Sequence, residues 1–251
     1  MKTRLQFLFL LPVSFLALLL AYPGLAATEP PTVDLILEKY VKAVGGKAAL
    51  EKISSRSLVG KLEHPMIPGG GADWHFFAKV PDKQLVQVKI PGWGTSEDGF
   101  DGRVAWGRNP SGVRVKSAEE LDKAKRDSQF ARELNFKKIF PKLTYKGTEK
   151  VEGEEAEVLE SIASTNGKET FFFSKSTGLL IRQDSEFNTG QGKVVTKAAM
   201  SDYRAADGVR YAYTIKGSLS AAGQDTEFTL KITELKNNVS IEDSRFIKPS
   251  E

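Results

Sequence analysis

The chain of 251 residues contains no cysteine. Disulfides and thiolate metal centres are therefore excluded, and packing with hydrogen bonding must hold any fold together. Histidine occurs only twice, at His64 and His75, so a histidine-rich metal site is excluded too. No His-Glu-x-x-His, Cys-x-x-Cys-His, Gly-x-Ser-x-Gly elbow, phosphate loop or Gly-x-Gly-x-x-Gly fingerprint is present. His64 precedes Pro65 beside a loop and His75 falls on the polar face of its strand, so both read as surface residues. Lysine and arginine form no dense run and do not alternate with aromatics, which argues against nucleic acid as a partner. Glu97, Asp98 and Asp101 form an acidic knot. It lacks the alternating ligand spacing of a calcium loop, and turn chemistry accounts for it. These absences point away from an enzyme and leave no metal or cofactor to expect.

Long apolar runs are also scarce, and the one present is informative. Lys2 and Arg4 precede an apolar stretch from Leu5 to Ala21, interrupted at Pro12, and Gly24 and Ala26 are small residues at the positions a signal peptidase reads. The pattern predicts a signal peptide over residues 1–26, removed after Ala26, rather than a membrane anchor. No cysteine follows, so the chain is not itself acylated. The expected product is residues 27–251, soluble in the periplasm or outside the cell. Without Lys2 and Arg4 the formal charge of +4 falls to +2, so the product is barely basic.

Two periodicities divide the remainder. Thr32 and Asp34 open a helical stripe through Val33, Leu35 or Ile36, Leu37, Tyr40, Val41 and Val44, which Gly45-Gly46 ends. A second short helical piece is expected from Lys47 to Ile53. From Ser57 the period becomes two. Strands are expected around Leu58–Glu63, Asp73–Val80, Gln84–Ile90 and Val104–Arg108, with turns at Asp98-Gly99, Asp101-Gly102 and Asn109–Gly112. Ser117 and Glu120 form a capping box for one long helix from Ala118 to about Phe140, stopped by Pro141. Hairpins then follow one another: Leu143–Val151, Ala156–Ala163, Thr170–Ser174, Leu179–Phe187, Lys193–Tyr203, Arg210–Leu219 and a last strand at Phe228–Ile232.

One-sided alternation of this kind means antiparallel strands with one wet face. The prediction is a mainly β domain with a few helices. Ten or eleven strands form a single curled antiparallel sheet, a half-open β-barrel, with a helical lid. A sandwich packed on itself gives the same alternation.

The order of motifs resembles the LolA-like family of periplasmic lipoprotein carriers. The resemblance rests on Gly71-Ala72-Asp73-Trp74 through Val80-Pro81, the strand Leu85–Ile90, then Asp101-Gly102-Arg103-Val104-Ala105-Trp106 and Asn109-Pro110 before a helix. Phe171-Phe172-Phe173 with Lys175–Leu180, Asp207-Gly208-Val209 and Phe246-Ile247-Lys248-Pro249 extend it over most of the chain. It implies a half-open barrel with a helical lid that holds acyl chains. The cargo would be a lipid or an acylated lipoprotein, with inner- and outer-membrane donor and acceptor proteins as partners and a monomeric carrier between them. The carriers place a lid-latching arginine just before the first turn proline; this chain has Val80 there, after Lys79.

Binding in such a cavity needs little more than an apolar lining, since each CH₂ removed from water contributes roughly 0.8 kcal/mol. The candidate lining residues are Trp74, Phe76, Val88, Trp106, Phe172, Tyr211, Tyr213 and Phe228 from strands, with Leu121, Ala124 and Leu134 from the helix. The alternative is a barrel filled by these same side chains and used as an envelope interaction module without a ligand. The signal-peptide reading has a direct check: N-terminal sequencing of the exported protein should begin at Ala27, and a product still carrying Lys2 and Arg4 contradicts it.

Overall fold

The computed structural model describes residues 29–163, 167–189, 192–221 and 223–250. The expected signal peptide lies outside the described residues. From Pro31 onward the chain forms one compact body. No helix among the described residues is long and apolar enough to cross a membrane.

The first helix, α1 (Val33–Ala43), starts where the Thr32 hydroxyl accepts a hydrogen bond from the Leu35 amide at 3.2 Å. It buries Ile36, Leu37 and Tyr40, the stripe its 3.6-residue period defines. The Gly46 amide closes it by donating to the Val41 carbonyl at 2.8 Å, and one short turn, α2 (Lys47–Leu50), follows. A meander comes next: β1 (Ser55–Glu63), β2 (Gly71–Lys79), β3 (Lys83–Ile90), β4 (Gly94–Phe100), β5 (Ala105–Asn109) and β6 (Gly112–Val115). Two helical pieces, α3 (Ala118–Asp127) and α4 (Phe136–Ile139), lead to a second meander. Its strands are β7 (Thr144–Val151), β8 (Glu154–Ala163), β9 (Gly167–Ser174), β10 (Leu180–Thr189), β11 (Gly192–Ala206), β12 (Val209–Ala221) and β13 (Gln224–Asn237).

All thirteen strands belong to one antiparallel sheet, in the order β6-β5-β4-β3-β2-β1-β13-β12-β11-β10-β9-β8-β7. The two meanders are joined by the pairing of β1 with β13, in which Leu58 faces Leu235 and Leu62 faces Leu230, with a bulge after Val59. The sheet does not close: β6 and β7 remain its two edges, and the chain between them carries α3 and α4.

The helices define an inner face. Ala78, Leu159, Phe171, Phe173, Val209 and Tyr211 pack there against Ile36, Tyr40 and Val44 of the first helical segment and against Phe130, Phe136 and Phe140. The rings interlock edge to face, with Phe136 at 4.7 Å from Phe171 and Tyr40 at 5.1 Å from Phe173. The outer face has its own cover. Phe77, Leu85 and Trp106 form a cluster with Ile241 and Phe246 of the C-terminal segment, and Trp106 Nε1 donates to the Phe246 carbonyl at 2.8 Å. The Trp106 ring lies across Gly99, where a Cβ would sit 2.2 Å from it. Lys79 holds the same segment through the Ile241 carbonyl and Asp243, each at 2.8 Å. A second outer cluster joins Val151, Ala156, Val158 and Phe172.

Several expectations change accordingly. Thirteen strands replace ten or eleven, because β4 and β6 are short and polar and carry no apolar alternation. Asp98-Gly99 is not a turn but lies inside β4, where glycine is needed to accept the tryptophan ring. The single long helix is broken between Asp127 and Phe136. On a continuous helix Phe130 and Phe136 would stand ~120° apart, whereas both are buried in the same core. Trp106 and Phe172 point away from the inner face, each offset by one residue from a neighbour that points in.

Trp106→Ala therefore opens a cavity beneath the C-terminal strap and removes its hydrogen bond. The expected loss is ~3–5 kcal/mol, read as a lowered urea midpoint at unchanged slope; a change below ~1 kcal/mol contradicts the strap's role.

Candidate functional site

The inner face is not covered uniformly. Its cover next to α1 is aromatic and packed solid. Its cover over the other part is α3, whose sequence Ala-Glu-Glu-Leu-Asp-Lys-Ala-Lys-Arg-Asp offers three apolar residues and buries none. Charge holds this helix instead. The Arg114 guanidinium grips Glu120 with two hydrogen bonds, at 2.7 and 2.8 Å. Lys116 pairs with Asp98 at 2.5 Å. The Lys123–Asp127 pair lies within the helix itself, and Lys123 also lies 5.5 Å from the Phe187 ring centre of the sheet.

Between α3 and the sheet lies a cavity of about 1130 Å³. Phe100 of β4, Phe187 of β10, Val194 of β11 and Ala124 of α3 give it apolar patches, but most of its lining is polar or charged, with Gln84 and Asp98 from the sheet side and Glu119, Lys123, Arg126 and Asp127 from α3. Its size reaches the upper end of the range for sites that enclose small molecules, roughly 300–1,000 Å³. A more open groove of about 720 Å³ is bordered by Arg182, Lys197, Lys216 and Phe228.

Next to the cavity the inner face carries a polar stripe. Glu169 is only 6% exposed. Its carboxylate accepts from Gln183 Nε2 at 2.9 Å and from the Ser185 hydroxyl at 2.6 Å. Ser161, equally buried, is its cross-strand neighbour. Arg132, in the chain between α3 and α4, donates to Gln183 Oε1 at 3.2 Å and lies 5.3 Å from the Phe140 ring centre.

The expected lining residues are dispersed. Ala124 borders the large cavity, and Leu121 sits half-buried on the same helix. Trp74 stacks on Phe76 at 5.9 Å and faces Val88 across the strands, so these three share the inner face. Leu134, Phe76 and Tyr213 pack at the margin of the inner core. Tyr211 is buried within it and accepts from Arg56 at 3.0 Å. Phe228 borders the second groove, and its ring lies over Gly217, 2.9 Å from where a Cβ would be. Trp106 and Phe172 lie on the outer face and line neither space. Phe100, Phe187 and Val194 were not expected. Phe187 closed an alternating run and was legible, whereas Phe100 was hidden beside the supposed Asp98-Gly99 turn.

Val80 makes no latch and is exposed. The chain beyond α3 is tied down elsewhere. The Phe130 amide donates to the Pro81 carbonyl at 3.2 Å, and the Arg56 guanidinium lies 5.3 Å from the Phe130 ring centre and 4.2 Å from that of Tyr211. Burial pushes the Tyr40 and Tyr203 hydroxyls above their ordinary range, with the Glu133 charge adding to both. Tyr203 stays a donor, to the Leu180 carbonyl at 2.5 Å. Among the described residues no group of histidine, aspartate and glutamate side chains could hold a metal ion.

No known protein family and no curated protein matches the sequence. Solved structures do. A DUF1329 family protein from Desulfovibrio piger superposes with a TM-score of 0.57 at 14% identity, covering 87% of this chain and 98% of the other. A putative outer membrane lipoprotein-sorting protein domain from Vibrio parahaemolyticus gives 0.56 at 14% identity, covering 84% and 95%. A LolA superfamily protein from Nitrosomonas europaea gives 0.55 at 17% identity, covering 87% and 99%. The fold is LolA-like. In this LolA-like fold the open edge of the sheet is bridged by the α3–α4 segment, and the large cavity lies under the polar half of that bridge.

The hold on α3 titrates. The Arg114 guanidinium lowers the Glu120 carboxyl from 4.5 to about 2. A carboxyl depressed in the folded state stabilises above its unfolded value, and that contribution is lost as pH falls from about 4.5 through about 2. The pair is partly exposed, so the effect is on the order of 1 kcal/mol or less. Amide hydrogen exchange in α3 should therefore accelerate over this window relative to α1. Glu120→Gln should show the faster exchange already at pH 7, and equal protection in both proteins at pH 7 contradicts the latch.

Proposed function

We propose that this protein is a periplasmic carrier that takes lipid or lipoprotein acyl chains into the cavity under α3, and that it is not an enzyme. One observation carries the reading: a helix with no buried residue, held to the sheet by the Arg114–Glu120 pair, roofs a large space in which Phe100, Phe187 and Val194 form an apolar patch within a mostly polar lining. Lifting such a helix exposes little apolar surface, so its opening is inexpensive in hydrophobic free energy. Admitting a chain of about 14 carbons contributes ~10 kcal/mol gross, before ordering costs. The LolA-like fold and the apolar leader over residues 1–26 support the same reading. Export through that leader, monomeric behaviour and hand-over between donor and acceptor proteins belong to it.

A second reading has support of its own, because the inner face beside α1 and α4 is filled with interlocking rings. On that reading the domain binds a protein partner and no lipid. Native mass spectrometry of protein purified without detergent separates the two. Carrier function predicts co-purifying lipid, and after delipidation a gain of ~2.7 kcal/mol in stability at myristate concentrations 100-fold above Kd. Protein free of lipid from the start, with no thermal response to myristate, would overturn the carrier reading.

A further inference from the structure

The polar stripe on the inner face is out of place for a cavity meant only for hydrocarbon. Alternation makes the inward positions of β8, β9 and β10 apolar at Leu159, Phe171 and Phe187 but polar at Ser161, Glu169, Gln183 and Ser185. Departures from the local pattern concentrate at functional positions. The charged member, Glu169, is the most demanding of these. A buried carboxylate is costly unless it is paired and fully hydrogen-bonded. Among the described residues, no lysine, arginine or histidine forms an ion pair with it. Its two hydrogen-bond donors, Gln183 and Ser185, are neutral, and two bonds leave about half of its roughly four acceptor positions open. The nearest cation in the network, Arg132, reaches only the far side of Gln183. Lys168, next along β9, is turned to Glu160 instead, at 2.9 Å.

The stripe also adjoins the cavity. Gly167 and Phe187 line it, and each is two residues from Glu169 or Ser185 on the same face of its strand, a step of about 7 Å. We propose that Glu169, with Ser185 and Ser161, is the head-group subsite of the cavity and takes an alkylammonium group, the amphiphile's chain lying against Phe187 and Val194. The ammonium supplies the counter-charge that no side chain provides, and its N–H groups use the acceptor positions left open. Arg132 and Gln183 sit on the far side and set the carboxylate's orientation.

This rests on the carrier reading, and the test keeps the two apart. Dodecylammonium, dodecanol and dodecanoate, each below its aggregation threshold, are titrated calorimetrically into the delipidated protein at pH 7. The ammonium should bind about tenfold or more tightly than the alcohol, and the carboxylate more weakly than either. Glu169→Gln should abolish that preference, bringing the ammonium down to the affinity of the alcohol, and Glu169→Asp, which keeps the charge, should retain part of it should the glutamine variant fail to fold. Equal binding of all three probes, or a preference that survives Glu169→Gln, overturns the subsite and leaves the carrier reading standing. Binding of none of the three overturns both.

Discussion

The governing constraint is that a thirteen-strand sheet with two free edges has only α1, α2 and the chain that runs between those edges to cover its inner face. The β1–β13 pairing places the first and second meanders side by side, which sends β6 and β7 to opposite extremes. Residues 116–143 therefore have to cross the whole opening. They meet two different demands on the way. Where they lie beside α1 they supply Phe130, Phe136, Ile139 and Phe140 and complete a close-packed core. Where they start from the β6 edge they supply only charge, and the space beneath stays open.

That asymmetry separates a close-packed part from an open part within one domain. The aromatic part of the bridge completes the inner core, and the strap that Trp106 and Phe246 fasten covers the outer face. The α3 part contributes ion pairs whose net worth at a partly exposed site is small. No residue of α3 is buried, so the core does not depend on its side chains. The polar stripe around Glu169 lies at that same boundary, linked through Gln183 to Arg132 in the segment that follows α3.

Much of this was legible in the residues. Period-two alternation located eleven strands. The capping box at Ser117 and Glu120 marked the start of α3, where both of its hydrogen bonds are present. What alternation could not supply was the side of the sheet on which each set of alternate residues would be covered. Trp106 and Phe172 are as apolar as Trp74 and Phe171. Trp106 faces outward beneath the C-terminal segment, and Phe172 packs on that side among Val151, Ala156 and Val158 of neighbouring strands, and neither arrangement is visible in a local pattern. The long helix differs for a related reason: the capping box at Ser117 and the stop at Pro141 frame one continuous helix, and only the shared burial of Phe130 and Phe136 forces the break.

By itself, then, the chain's order of residues determined the class of fold, the antiparallel connectivity and the ends of its first helices, since these follow from local sterics, periodicity and capping. The tertiary structure alone decided which face is inner, which aromatics fill the core and where a cavity remains. Those outcomes depend on contacts between residues more than a hundred positions apart, such as Trp106 with Phe246 and Arg56 with Tyr211. No local preference encodes such contacts, because each residue's surroundings exist only once the sheet has brought distant segments together.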